Sequence, residues 1–235
     1  MRVTAGDTFR SWSVRRGFDR ERVRAMTVDA NDGIIATAGI VEGFSGAGAT
    51  LTTLIIAAVS AMIAGTIALA GAKYAEAAGD RDAELALMEE ERRQLALSPA
   101  EEFDELVEHY RGRGLTPELA RQVAGELTAR DALSAHLRAE HGWSEADITK
   151  PGTVAVIAGI SFAIGSGVPL AAILVAPEDA RAIWTIVIVA LALVVTSVVA
   201  ARSGRVSVAR TVGRSLAIGV GTMLLTLGAG YLIAF

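Results

Sequence analysis

Five apolar runs constrain this chain more than any other feature. They lie at about 29–48, 51–75, 152–175, 182–201 and 212–234. Each is near the ~20 residues that carry a helix across a bilayer. Lipid offers the backbone no hydrogen-bond partner, so such runs fold as helices or not at all. Ser45-Gly46-Ala47-Gly48 between the first two is a tight turn, which predicts an antiparallel pair. A long polar insert separates the second and third runs. The mean hydropathy of +0.44 agrees, being high for a soluble domain and low for a bundle without polar parts. The expected fold class is an all-α membrane protein: five transmembrane helices, with a helical module inserted between helices two and three.

Charge sets the expected topology. Arg10, Arg15, Arg16, Arg20, Arg22 and Arg24 precede the first run, and Arg202, Arg205, Arg210 and Arg214 follow the fourth. The turns after runs one and three carry no base, or only Arg181 beside Glu178 and Asp179. Positive-inside counting then places the N-terminus and residues 76–150 in the cytoplasm and the C-terminus outside. Trp12, Val14, Phe18 and Val23 alternate with the arginines, so residues 1–25 read as an amphipathic helix lying on the membrane surface. The first 25 residues have no apolar core of a cleavable signal, and a bacterial plasma membrane is the default location. The expected segments are 1–25 interfacial, 26–78 with helices one and two, 79–149 the module, and 150–235 with helices three to five.

Residues 80–147 hold 17 of the 26 acids and only 8 of the 22 bases. Three helices are expected there. The first continues the second span through Arg81–Leu97. Ser98-Pro99-Ala100-Glu101 reads as a capping box with proline at N1 and opens the second. Gly112 and Gly114 end it, and Thr116-Pro117-Glu118 opens a third that runs to about Glu140. Pro169, after Gly165 and Gly167, is expected to kink the third span. Three short helices bury little apolar surface alone, so pairing with a second copy, or a bound metal, is expected to stabilise them.

The chain has no cysteine, which excludes disulfides and thiolate metal sites and leaves oxygen and imidazole as ligands. Glu102, Glu105 and His109 share one face of the second module helix. His136 and Glu140 are one turn apart on the third, and Glu91 lies near the end of the first. Such groups converging between antiparallel helices can hold iron or manganese; the plain alternative is a solvated acidic face. In the membrane part, Asp29, Asn31 and Asp32 open the first run and Glu42 lies near its far end. Met62 and Lys73 lie in the second run. Lys73 and Glu76 fit ordinary snorkelling at a helix end, and Asp29 fits an interfacial cap. Asp32 and Glu42 point to cation or proton transit, because a carboxylate at membrane depth is costly.

These motifs together resemble the vacuolar iron transporter family, which includes the nodulin-like transporters. The resemblance rests on Ala30-Asn31-Asp32-Gly33-Ile34, on Gly65-Thr66-Ile67-Ala68-Leu69 with Tyr74, and on Glu90-Glu91-Arg92-Arg93-Gln94-Leu95. Pro99-Ala100-Glu101-Glu102-Phe103-Asp104-Glu105-Leu106, Gly114-Leu115-Thr116-Pro117, Lys150-Pro151, Ser161-Phe162-Ala163 and Pro169-Leu170 extend it over about residues 20–235. It implies a five-span homodimer with a cytoplasmic three-helix metal-binding module. Such a protein exports Fe²⁺ or Mn²⁺ from the cytosol against protons. The implied partners are divalent transition-metal ions, protons and the lipid bilayer, with no nucleic acid and no organic cofactor.

Carried over residue by residue, the family's first-span aspartate is Asp32. Its second-span glutamate and methionine fall on Ala61 and Leu69, and a further glutamate falls on Lys73. The module's four glutamates fall on Glu91, Gln94, Glu102 and Glu105. A third-helix Met/Glu cluster falls near His136, Leu137 and Glu140. The departures suggest that Glu42 replaces the lost second-span carboxylate, and that His109 and His136 supply nitrogen ligands to the module. A different class, a non-transporting membrane-bound metal sensor or storage partner, is the alternative. A membrane enzyme has no support, since no nucleophile–base pair, phosphate loop or cofactor motif occurs.

Overall fold

A computed structural model describes the backbone of residues 5–234 and the side chains from residue 20 onward. The described residues contain helices and no strand: α1 Ala5–Gly46, α2 Leu51–Leu97, α3 Pro99–Gly112, α4 Pro117–His136, α5 Pro151–Val175, α6 Arg181–Gly204 and α7 Val208–Ile233. Two compact units form, one from Met1–Lys73 with Thr153–Phe235, the other from Tyr74–Gly152. The backbone of α1 runs without a break through residue 25. The side chains of residues 5–19, on which the interfacial reading depends, lie outside the described residues.

Among the described residues, four helical segments are long and apolar enough to cross a membrane: Leu51–Leu97, Glu145–Val175, Glu178–Gly204 and Val208–Ile233. α1 falls short because Asn31, Asp32 and Glu42 dilute its apolar run. It is nevertheless among the most enclosed helices of the first unit. Ile34 and Ala38 pack with Val189 and Leu193 of α6 and Met223 of α7. Val41 packs with Leu54 and Ala58 of α2 and Ile173 of α5. A helix lined by protein on most sides has less need of lipid-facing apolar residues.

Small residues let the backbones meet. A Cβ on Gly165 would collide with the Ala30 carbonyl, and one on Gly33 with the Phe162 carbonyl. The same reciprocal arrangement joins α1 to α7, through Gly230 against Gly43 and Gly46 against Leu227. Helix association in lipid relies on such close van der Waals contact, because burying apolar surface from lipid gains little. α5 continues through Pro169, which cannot donate to the Gly165 carbonyl one turn earlier. Gly165→Ala is expected to destabilise the protein by about 2 kcal/mol, the scale of overpacking in a tight contact. Gly167→Ala, which meets nothing within 4 Å, is the control. Thermal unfolding in detergent compares the two.

In the second unit, Leu106, Val107, Ala120, Ala124, Ala135 and Ala139 form a small core with Phe103, Tyr110, Leu115 and Leu127 against it. Thr116 caps α4, accepting from the Leu119 amide at 3.4 Å. Ser98 departs from expectation: its side chain makes no cap bond. The α3 start is held instead by the Ser98 carbonyl, which accepts from the Glu101 and Glu102 amides at 3.0 and 3.1 Å. Pro99 at N1 has no donor to satisfy. A capping box does form later, between Ser144 and Asp147. Thr149 ties the exit of the unit to α2, donating from its amide and hydroxyl to Glu84 at 2.8 and 3.0 Å. Arg81 donates to the Thr149 carbonyl at 3.2 Å.

Candidate metal centre

The third helix of this unit is not uniform. Asp131 adopts an extended conformation inside α4, and its carboxylate accepts from the Ser134 amide at 3.0 Å. It therefore caps a new helical start within the element. Past His136 the helix widens into a π-type turn, Leu137–His141. Such turns concentrate at functional sites. This one sets His136 and Glu140 on a common face. Neither the internal cap nor the wide turn was foreseen; Asp131 with Ser134 three residues on is the only local hint.

Glu91 from α2, Glu102 from α3, His136 from α4 and Glu140 from the wide turn come together, one ligand atom of each lying within 4.8 Å of all the others. Three carboxylate oxygens surround one nitrogen. The distances from His136 Nδ1 are 3.1 Å to Glu91 Oε1, 3.2 Å to Glu140 Oε1 and 3.5 Å to Glu102 Oε2. The His136 and Glu91 side chains are only 1% and 3% exposed, and Glu102 is also buried. Glu91 Oε1, Glu102 Oε2 and His136 Nε2 have no hydrogen-bond partner among the described residues. Burial raises the Glu91 carboxyl above its usual range, and Glu140, Glu102 and Glu105 raise it further while His136 partly offsets them. Burial, then Glu105, does the same to Glu102.

Buried anions without a matching charge cost several kcal/mol each. A divalent cation would relieve that cost and satisfy the orphaned oxygens together. A span of this size suits one ion with ligand distances of about 2.0–2.2 Å after a small contraction. Oxygen with one imidazole, and no thiolate, fits manganese, iron or zinc better than copper(I).

The other module candidates stand apart from this group. Gln94 is exposed and donates to Glu90 at 3.3 Å. Glu105 is exposed, and acts on Glu91 and Glu102 through its charge. His109 is half-buried with an unpartnered Nε2, edge-on to Tyr110. Burial and the Arg113 charge hold its imidazole below the usual range, against Glu140.

In the first unit the opening stretch of the apolar run fans out. Asp29 is buried, and Asn31 accepts from Thr196 of α6, a partner the sequence did not suggest. Asp32 is exposed on the protomer, with the half-buried Lys73 ammonium in electrostatic reach. Met62 is half-buried and follows Ala58 and Leu54 by one and two turns, which turns it toward α1 and α5. Glu42 is fully buried with neither oxygen hydrogen-bonded among the described residues. It follows Ala38 by one turn and Ile35 by two. Ala38 and Ile35 pack on α6 and α7, so Glu42 turns toward that seam and away from Ala61 on α2.

Comparison with known proteins relates the chain to one family. The model of the VIT family matches residues 23–231. A vacuolar iron transporter of Acanthamoeba castellanii is 31% identical over 211 residues, covering 89% of this chain and 78% of that protein. Vacuolar iron transporter homolog 2.1 of Arabidopsis thaliana is 23% identical over 207 residues, covering 88% and 78%. On the extent of that match, the chain is a member of the vacuolar iron transporter (VIT) family.

Proposed function

We propose that this protein is a membrane transporter that moves Fe²⁺ or Mn²⁺ out of the cytosol in exchange for protons. The observation that carries the reading is the convergence of Glu91, Glu102, His136 and Glu140 on one point, in a chain related to proteins named as iron transporters. Residues 74–152 collect metal on the cytosolic side. Asp32 admits it to the membrane, with Asp29, Asn31, Met62 and Lys73 around the mouth. Metal and protons compete for the same carboxylates, which gives a physical basis for exchange.

In this reading α1 is a fifth span. Asn31 meets Thr196, Val41 meets Ile173 and Gly46 meets Leu227, so α1 shares the depth of α5, α6 and α7. The exposed face of α1 that carries Asp32, Ala36 and Ile40 is where a second copy docks, bringing two Asp32 side chains to one two-fold axis.

One observation favours a second reading, a metal sensor or storage partner. Lys73 lies where it competes with a divalent ion for Asp32. Proteoliposomes containing a pH-sensitive dye separate the two. A transporter accumulates Fe²⁺ or Mn²⁺ while the lumen changes pH; binding of metal with movement of neither ion overturns transport.

A further inference from the structure

Glu42 stands outside the metal path described above. It is 10 residues from Asp32, about 15 Å along a helix of 1.5 Å rise, and on a different face. Its side chain is 0% exposed within a single protomer, so neither lipid nor a second copy accounts for its burial. Both oxygens lack a hydrogen-bond partner among the described residues.

The seam it enters is lined by polar and apolar side chains. Asn31 meets Thr196 on the antiparallel α6, and Ile34 and Ala38 meet Leu193 and Val189. The next turn of that register sets Glu42 opposite Thr185, which is fully buried. On the α7 side, Thr226 packs on Gly39 and Gly43, which flank Glu42. Both threonine hydroxyls donate to their own helices, Thr185 to Arg181 O and Thr226 to Thr222 O, each at 2.9 Å. Their protons are committed, and their lone pairs remain as acceptors.

One charged group on the surrounding elements, Arg181, comes near this level, and the others lie farther off. On α6, Arg181 is one turn beyond Thr185; its Nε is buried without a hydrogen-bond partner, and among the described residues it makes no ion pair with Glu42. Glu178 and Asp179 precede it in the turn. On α7, Arg210 and Arg214 lie near the opposite end, as Lys73 does on α2, and the membrane part of α5 holds no charged residue. A carboxylate in this position has no ion pair and no hydrogen-bond donor among the described residues, whereas a carboxylic acid can donate its single proton to a threonine oxygen.

We propose that Glu42 is a proton-binding site internal to each protomer, which carries the counter-proton at the α1/α6/α7 seam, apart from the metal that Asp32 carries. The step is a simple exchange: the acid releases its proton to water on one side and regains one from the other. The inference rests on the proton exchange proposed above, and its test has one arm free of transport.

Infrared difference spectroscopy of the full protein in lipid, at neutral pH and after alkalinisation, reads the carboxylic-acid carbonyl band. The expected result is a band in the wild type that Glu42→Gln removes and Glu42→Asp retains at a shifted position. A wild-type spectrum that Glu42→Gln leaves unchanged overturns the assignment, whether or not the protein moves metal. In proteoliposomes, Glu42→Gln is expected to keep metal entry down its own gradient and lose accumulation driven by a pH gradient, with Glu42→Asp retaining both. Retention of pH-driven accumulation by Glu42→Gln overturns the coupling role. Loss of all flux in wild type sinks the transport reading and leaves the infrared result to decide protonation.

Discussion

Asp32→Ala is expected to reduce metal flux at least about a hundredfold, since even outer-sphere partners of a metal commonly contribute 10–100-fold. The physical case is local. Asp32 is the exposed carboxylate at the start of the apolar run, and Lys73 is its cationic neighbour. Removing the carboxylate takes away a negative ligand and leaves the ammonium to repel a divalent ion. Metal binding by residues 74–152 is expected to persist, because Glu91, Glu102, His136 and Glu140 all belong to the other unit. Radioactive or dye-reported Mn²⁺ uptake, with equilibrium binding measured on the same sample, checks both halves. Flux within a fewfold of wild type would remove Asp32 from the path.

Glu91→Gln is expected to act in opposite directions on stability and on binding. Metal-free, the site gathers three carboxylates about one imidazole, and neutralising one relieves like-charge repulsion in a buried place. The expected gain is about 1 kcal/mol, roughly one pKa unit of interaction. Metal affinity is expected to fall at least about tenfold with the lost anionic ligand. The pH dependence follows from the raised carboxyls. Glu91 and Glu102 both titrate above the ordinary 4.5 in the folded chain. The folded state therefore holds more protons than the unfolded one, and metal-free stability declines as pH rises through that interval. Affinity for metal rises over the same interval, because protons and metal compete. Calorimetric titration with Mn²⁺, and thermal unfolding in chelator as a function of pH, test this. Equal affinity and an unchanged pH slope in Glu91→Gln would exclude Glu91 from any metal site.

Both variants probe residues that composition and spacing had already singled out, yet legibility was uneven among them. His136 and Glu140 were visible as a pair one turn apart. That they meet Glu91 and Glu102, while Gln94 turns out to Glu90 and Glu105 stays exposed, depends on the angle at which α2, α3 and the far end of α4 converge. Asp131 and the wide Leu137–His141 turn set part of that angle, and helical periodicity carries no trace of either. Ser98 shows the converse failure. Its motif is right for a capping box, but the backbone carbonyl and Pro99 already close the end of α3, so the hydroxyl is not needed.

The helices and most of their ends follow from the amino-acid order. Long apolar runs, Pro at the starts of α3 and α4, and Gly at turns act within a few residues, and local forces read them directly. The same order supplies the acids and imidazoles from which any metal site must be drawn. Packing settled the rest. It made α1, the run with the most polar interruptions, one of the most enclosed helices. It brought four of the seven module candidates to one point, and it turned Glu42 toward α6 and α7 without an ion-pair partner among the described residues. Hydropathy sums over neighbours in the chain, whereas the energy of a buried charge depends on what distant segments bring to it.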